Sequence, residues 1–436
     1  MTPTKALSAL EKLPVEILEA IIVWLQFPDI CSLRLVSRTI AAKSVQKTLK
    51  GYFASKTVDW TSATQVQELV QLTQPHRVGC LLQNLSIIGT APSHITPSNK
   101  DILTEAFINL RLNSVYGGLK SIILSVQGRD DSGDIIPSKK VHEWKLVWQT
   151  ASQTFKIACR ALADSALHVE RLDVFASITR CSLACNKIAP VLDYTNMSRA
   201  LANLTSVSLS LSHHIGDDLG SDSESESFDS IGHSQRYTSD IRRFLELCSH
   251  LETLELHWYN LPRKSNQIEA QKEERHFFNE IVKLDRLSQI RHCRLYGTDT
   301  NEAALVSFCK QATQLCSLTL EYIHLTEGKY EYVFNCLANQ LPNLDYLHLG
   351  DLYEQRVIYF DDPGTARFSY TSGSNGPEVI TRTGVDCQHP IGYHQRRGRP
   401  KGSPGLLKWT RKNRLLYGPP DAVTSYHSRL SKRRRP

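Results

Sequence analysis

The sequence predicts a mixed α/β chain in three parts: a short module of three helices, an irregular solenoid of strand–helix units, and a basic C-terminal extension. Three observations predict it. Apolar residues between Leu13 and Phe53 recur at helical spacing. An apolar triplet with the spacing x-two-x-one-x returns eight times between Leu82 and Leu349. Charge is split, with residues 395–436 carrying +12 and the rest −5, within a formal net charge of +7.

Leu13 and Pro14 open the first helix, because proline at the first helical position gives up no N–H that the helix would use. Glu16 falls in the first turn, where the helix dipole favours a carboxylate. Leu18, Ile21, Ile22 and Leu25 follow at i, i+3, i+4 and i+7, one apolar face. Phe27 and Pro28 break this helix, and Asp29 is placed to cap a second carrying Ile30, Leu33 and Val36. Ser37 caps a third segment with Ile40, Val45, Leu49 and Phe53 at roughly helical spacing. So small a unit encloses little core, so part of its apolar surface is expected to meet another protein. A hairpin that merely caps the rest of the chain is the other reading of the pattern.

The order Leu13-Pro14-x-Glu16-Ile17-Leu18, then Ile21, Leu25 and Asp29, then Leu33-Arg34-Leu35-Val36-Ser37-Arg38, resembles an F-box over residues 8–50, and the module is bounded at 8–53. Ile40 departs from the pattern, since many F-boxes carry tryptophan there. The resemblance implies docking onto the Skp-type adaptor of a Skp–cullin–F-box ubiquitin ligase. Carried over by position, it assigns adaptor contact to Leu13, Pro14, Ile17, Leu18, Leu25, Leu33, Leu35 and Val36.

The body, residues 60–352, repeats the triplet at Leu82/Leu85/Ile87, Leu119/Ile122/Leu124, Val169/Leu172/Val174 and Leu204/Val207/Leu209. It returns at Leu251/Leu254/Leu256, Ile290/Cys293/Leu295, Leu315/Leu318/Leu320 and Leu344/Leu347/Leu349. This is a leucine-rich repeat pattern: the last two positions alternate inward on a strand, and the first turns the chain into it. Helix-like segments at 65–74, 102–112, 240–250, 301–314 and 330–340 would pack behind the strands, and stacking would bury a core that no single unit encloses. The start-to-start intervals of 37, 50, 35, 47, 39, 25 and 29 residues imply loop insertions, and a generic α/β domain is the competing reading. The pattern also resembles the irregular leucine-rich regions that follow many F-boxes. Between the inward positions, Asp173, Ser208, Glu255, His257, Arg294, Thr319, Glu321 and His348 face outward and are expected to form one mixed polar, target-binding face. Asp173, Glu255, His257, Arg294, Glu321 and His348 are the substrate-facing candidates.

Residues 216–230 carry six acids and five serines and are expected to be a disordered acidic loop. Ser221 and Ser223 each precede an acid by three residues, a pattern suited to an acidophilic kinase or simply to a solvated loop. Residues 353–436 read as turns and short strands followed by the basic tail. The Arg-rich segment with Tyr417 to Asp421 resembles tails of filamentous-fungal F-box proteins.

Other functions find little support. No apolar run reaches the ~18 residues of a membrane helix, and no signal peptide opens the chain, so cytosol or nucleus is expected. Eleven cysteines without a CxxC pair read as buried hydrophobes in a reducing compartment, and no metal or cofactor is implied. Arg397 to Lys401 matches an AT-hook core, and Lys432 to Arg435 could serve nuclear import, but a single hook leaves nucleic acid disfavoured as a partner. Lys56-Thr57 lacks the glycines of a phosphate loop, Asp130-Asp131 reads as a turn, and no hydrolase or metalloprotease signature appears. The sequence thus points to a non-catalytic substrate receptor of a ubiquitin ligase, binding an unidentified protein. A nuclear nucleic-acid-associated protein using its basic tail, or an F-box scaffold acting without ubiquitin, are the alternatives.

Overall fold

The structure, a computed structural model, describes residues 8–44, 46–91, 98–140, 144–213, 230–259, 277–361 and 376–395. The acidic loop, apart from Ser230, and the basic tail beyond Gln395 lie outside the described residues, as do the kinase-type serines, the AT-hook match and the import-type cluster.

The N-terminal module has five short helices where three are expected: α1 (Ala9–Lys12), α2 (Val15–Ile22), α3 (Phe27–Val36), α4 (Arg38–Lys43) and α5 (Lys47–Tyr52). A capping box starts α1, with Ser8 Oγ accepting Glu11 N–H and Glu11 accepting Ser8 N–H. Pro28 lies in the first turn of α3, where its missing N–H costs nothing, and Asp29 is inside that turn rather than capping it. Ser37 Oγ does cap α4, accepting Ile40 N–H at 3.2 Å. The third expected segment breaks at Ser44, whose hydroxyl donates back to Ala41 O and competes with the helix. Leu18, Ile22, Ile30, Ile40 and Leu49 form the module's own core, so Ile40 packs inside. Two side chains tie the helices together. Lys43 Nζ donates to Glu11 O and Leu13 O, both at 2.7 Å, and Glu19 accepts from the backbone and hydroxyl of Thr48.

Two residues later the chain enters a single long sheet. In chain order the strands of the body are β1 (Ser55–Asp59), β2 (Asn84–Ala91), β3 (Leu119–Arg129), β4 (Ile135–Pro137), β5 (Val169–Val174), β6 (Leu183–Ala184), β7 (Ser206–Ser212) and β8 (Thr253–Tyr259). They continue with β9 (His292–Tyr296), β10 (Asp299–Asn301), β11 (Ser317–Glu321), β12 (His324–Glu327), β13 (Tyr346–Gly350), β14 (Ile358–Phe360), β15 (Val379–Thr383) and β16 (Tyr393–Gln395). The main path runs β1-β2-β3-β5-β7-β8-β9-β11-β13-β15, parallel throughout except for the antiparallel last pair. Each strand of this path therefore neighbours the next strand of the path, β4 pairs β3 and β6 pairs β7 beside it, and β10–β12 and β14–β16 form two separate two-stranded sheets.

The eight triplets set this order. Their second positions align in register as Leu85, Ile122, Leu172, Val207, Leu254, Cys293, Leu318 and Leu347, and their third positions do the same from Ile87 to Leu349. All twenty-four triplet residues are buried, none more than 4% exposed. Behind this ladder stand α6 (Ala63–Thr73), α7 (Ser98–Asn113) and α8 (Trp144–Ser165), each packed on the next, and then helices at Ser230–Glu246, Glu302–Gln311 and Tyr330–Gln340. The triplet pattern does not single out α8, which buries Val147, Ala151, Phe155, Ala158 and Leu162 at helical spacing.

The sheet is longer than the expected body of 60–352. β1 adds a strand before it and β15 one after it, because both edges of the ladder carry backbone groups that need partners. The C-terminal segment is held by Glu354, a buried carboxylate accepting from Tyr330 N–H at 2.6 Å, Tyr393 OH at 2.8 Å and Gln395 Nε2. All eleven cysteines are free and nine are buried, and Cys293 fills a ladder position as a small hydrophobe. Burial pushes the Cys248 thiol up to about 12. Asp130 does sit in a turn, its Oδ1 accepting Ser132 N–H and Asp134 N–H.

Gly89 in β2 is where strand and helix come closest. A Cβ there would lie 2.3 Å from Thr154 Oγ1 and 2.9 Å from Trp60 Nε1, the two atoms that hydrogen-bond to each other at 2.8 Å. Gly89→Ala should therefore cost about 1–3 kcal/mol by overpacking, read as a lower urea midpoint of the purified chain. An unchanged midpoint would contradict this packing.

Candidate functional site

Folding of the N-terminal module leaves an apolar exterior. Ile17, Ile21, Val23, Trp24, Leu35 and Val36 are exposed, Trp24 at 87% and Leu35 at 88%. Ile17, Ile21 and Trp24 follow at i, i+4 and i+7 and share one side of the chain at α2. A module this small with that much apolar surface is built to be covered.

The residues expected to touch an adaptor divide into two groups. Pro14, Ile17, Leu35 and Val36 are exposed, and Leu13 is half-buried. Leu18 is fully buried, and Leu25 and Leu33 pack against the same core. The expected contact through Leu18 is therefore corrected: it holds the module together from inside. Apolar residues lie on both sides of α2, so spacing alone does not tell inner from outer. The signal for Val23 and Trp24 is the run Ala20–Leu25, since six successive apolar residues on a helix cannot all face inward.

The second surface is the sheet face opposite the helices. One row in register runs Asp173, Ser208, Glu255, Arg294, Thr319 and His348, and the next holds His257, Tyr296, Glu321 and Gly350. All six substrate-facing candidates fall in these two rows. They are not equally accessible. Asp173 is only 2% exposed and accepts Ala176 N–H at 2.8 Å, while Ser210 on the same face donates to Cys181 O. The segment after β5 thus closes the face there, which corrects the expectation of an outward Asp173. Ser208 and Thr319 are buried as well. The open part spans β8, β9, β11 and β13, where Arg294 is exposed and Glu255, His257, Tyr296, Glu321 and His348 are half-buried.

Electrostatics differ across this open part. His257 Nε2 lies 2.8 Å from Glu255 Oε1, and the His257 ring stacks edge-on against Tyr296 at 4.5 Å. Burial works to raise the Glu255 pKa, but the hydrogen bond and charge of His257, with Arg294 and Ser208, outweigh it and hold the carboxyl below its usual range. Glu321 is pushed the other way, up, by burial and then by the Asp351 charge, with His257 opposing. Burial also lowers the His348 pKa, and His348 Nδ1 lies 2.8 Å from Thr381 Oγ1.

With these surfaces in place, the family model for the F-box domain matches residues 10–45, within the N-terminal module. F-box domains bind Skp-type adaptors in cullin ligase complexes. No curated protein matches the chain. Among the described residues, no helix is long and apolar enough to cross a membrane, and no group of three or more His, Cys, Asp or Glu is placed to hold a metal ion.

The Glu321 shift makes a pH prediction. A carboxyl whose folded pKa is raised above 4.5 binds its proton more tightly in the folded state, so stability is highest below that value and falls as pH rises through the folded pKa. Glu321→Gln should remove this part of the decline, measured as urea midpoints across the acidic range. Parallel pH profiles for the two chains would show that Glu321 is not strained.

Proposed function

We propose that the chain is the target-recognition subunit of a Skp–cullin–F-box ubiquitin ligase. The observation that carries this reading is the F-box domain at residues 10–45 with Ile17, Ile21, Trp24 and Leu35 left outside its core. We read the sequential sheet as an irregular leucine-rich-repeat solenoid, supported by eight triplets in one register. Its open face holds the target. Holding a target beside the ubiquitin-charged enzyme raises their effective concentration, and the chain supplies position rather than chemistry. The chain works in the cytosol or nucleus, and its fungal-type basic tail is an accessory to the receptor.

Ile17→Asp together with Leu35→Asp should abolish capture of a purified Skp-type adaptor. An unpaired carboxylate at a desolvated apolar contact costs about 3 kcal/mol or more, over ~100-fold in affinity. Both side chains are exposed, so the sheet's urea midpoint should not move. Retained adaptor binding would defeat the reading.

Arg294→Glu should leave folding and adaptor binding intact, because exposed substitutions change stability by less than ~0.5 kcal/mol. It should instead alter the set of proteins co-purified with the chain. An unchanged set would move recognition away from the sheet face.

A further inference from the structure

The C-terminal end of the sheet carries an open strand edge. Asp351 N–H donates to Glu378 O and Gly384 N–H donates to Asp345 O, so the even-numbered residues from Glu378 to Gly384 turn their backbone groups toward β13. Val379, Thr381 and Thr383 therefore point their N–H and C=O groups the other way. Among the described residues those groups have no hydrogen-bond partner. The three side chains are exposed as well, Val379 at 44%.

Proteins usually blunt such an edge with lysine, proline, a bulge or a cover. The opposite edge is blunted: β1 carries Lys56, and Gln65 Oε1 accepts the outward Asp59 N–H at 2.9 Å. β15 has none of these devices. Its sequence, Val-Ile-Thr-Arg-Thr, is rich in strand-forming residues, and it pairs with β13 without a register shift. Its one charged side chain, Arg382, is engaged by the carbonyls of Asp386, His389 and Pro390. The chain beyond β15 closes the end of the core, with Cys387 buried in it and Ile391 and Tyr393 packed against it. Apolar surface remains beside the free edge. Val385, just past the strand, is 79% exposed, and Pro377, just before it, is exposed too.

We propose that β15 pairs antiparallel with β15 of a second copy of this chain, about a two-fold axis at Thr381. The outward residues are spaced symmetrically about Thr381. In that register Thr381 faces the second copy's Thr381, Val379 faces its Thr383, and every free N–H meets a free C=O. Ile380 falls opposite Arg382, so no like charges oppose each other. Val385 of each copy is carried toward Pro377 of the other, which covers apolar surface at both ends of the ribbon. Any extended segment could bond to this backbone, whereas the match of side chains across the axis selects a second copy. The axis runs normal to the sheet, so both open faces look the same way across one continuous sheet.

The test is the mass of the purified full chain by sedimentation over a dilution series. The wild type should be a dimer that dissociates on dilution. Thr381→Pro removes an N–H that no bond within one copy uses, and should leave a folded monomer by circular dichroism. Val379→Lys with Thr383→Lys sets lysines opposite each other at both ends and should weaken the dimer about tenfold. Val379→Lys with Thr383→Glu sets opposite charges across the same axis and should keep the dimer. It alters the same two positions, so it separates loss of pairing from loss of fold. Thr381→Cys should give a disulfide between copies on mild oxidation, because the facing Cα atoms lie ~5.5 Å apart in such a pair. A wild type that stays monomeric at every concentration would overturn the proposal. Slow exchange of the Val379, Thr381 and Thr383 amides in that monomer would assign the edge to another segment of the same chain. A dimer indifferent to the paired lysines would place the contact elsewhere and overturn it equally.

Discussion

A backbone carbonyl just before each of six strands holds much of this molecule together. Ala54 O accepts the amides of Gln83 and Asn84, and Gln83 O accepts those of Lys120 and Ser121. Further along, Thr205 O serves Glu252 and Thr253, Glu252 O serves Arg291 and His292, Arg291 O serves Cys316 and Ser317, and Cys316 O serves Asp345 and Tyr346. At these six links a unit enters its strand already fixed to the unit before it. A slip of one residue would turn every inward leucine to the other face, so this relay and the buried ladder enforce each other. The excess length between triplets is absorbed in helices and loops, which is why intervals from 25 to 50 residues converge on one register.

The relay also joins the two halves of the functional reading. Its first carbonyl, Ala54, directly follows Phe53, which packs on the core of the N-terminal module. The core of the N-terminal module and the sheet core are separate clusters, so the module's exposed apolar surface and the open sheet face can be altered independently. Regular register has a second consequence. It places side chains from distant parts of the sequence, such as Glu255, Arg294 and Glu321, in adjacent positions on one face.

Much of this was legible in the sequence because it rests on period and spacing. The F-box order from Leu13 to Arg38 and the triplets from Leu82 to Leu349 are patterns of residue type, and burial follows type closely. Other features depend on the third dimension. That Leu18 is inside while Trp24 is outside depends on which neighbours fill the small core. Asp173 is polar at an outward position, yet the chain after β5 folds back to bond with it. The α8 helix went unmarked because its buried face mixes Val147, Ala151, Phe155 and Ala158 in place of leucines.

The most direct test of the central claim is hydrogen exchange on the full chain with and without a purified Skp-type adaptor. Exposed apolar residues at the module surface imply new protection at Ile17–Trp24 and Leu35–Val36, with the strands of the sheet unchanged. Protection that falls on the sheet face and leaves those two segments exchanging freely would contradict it.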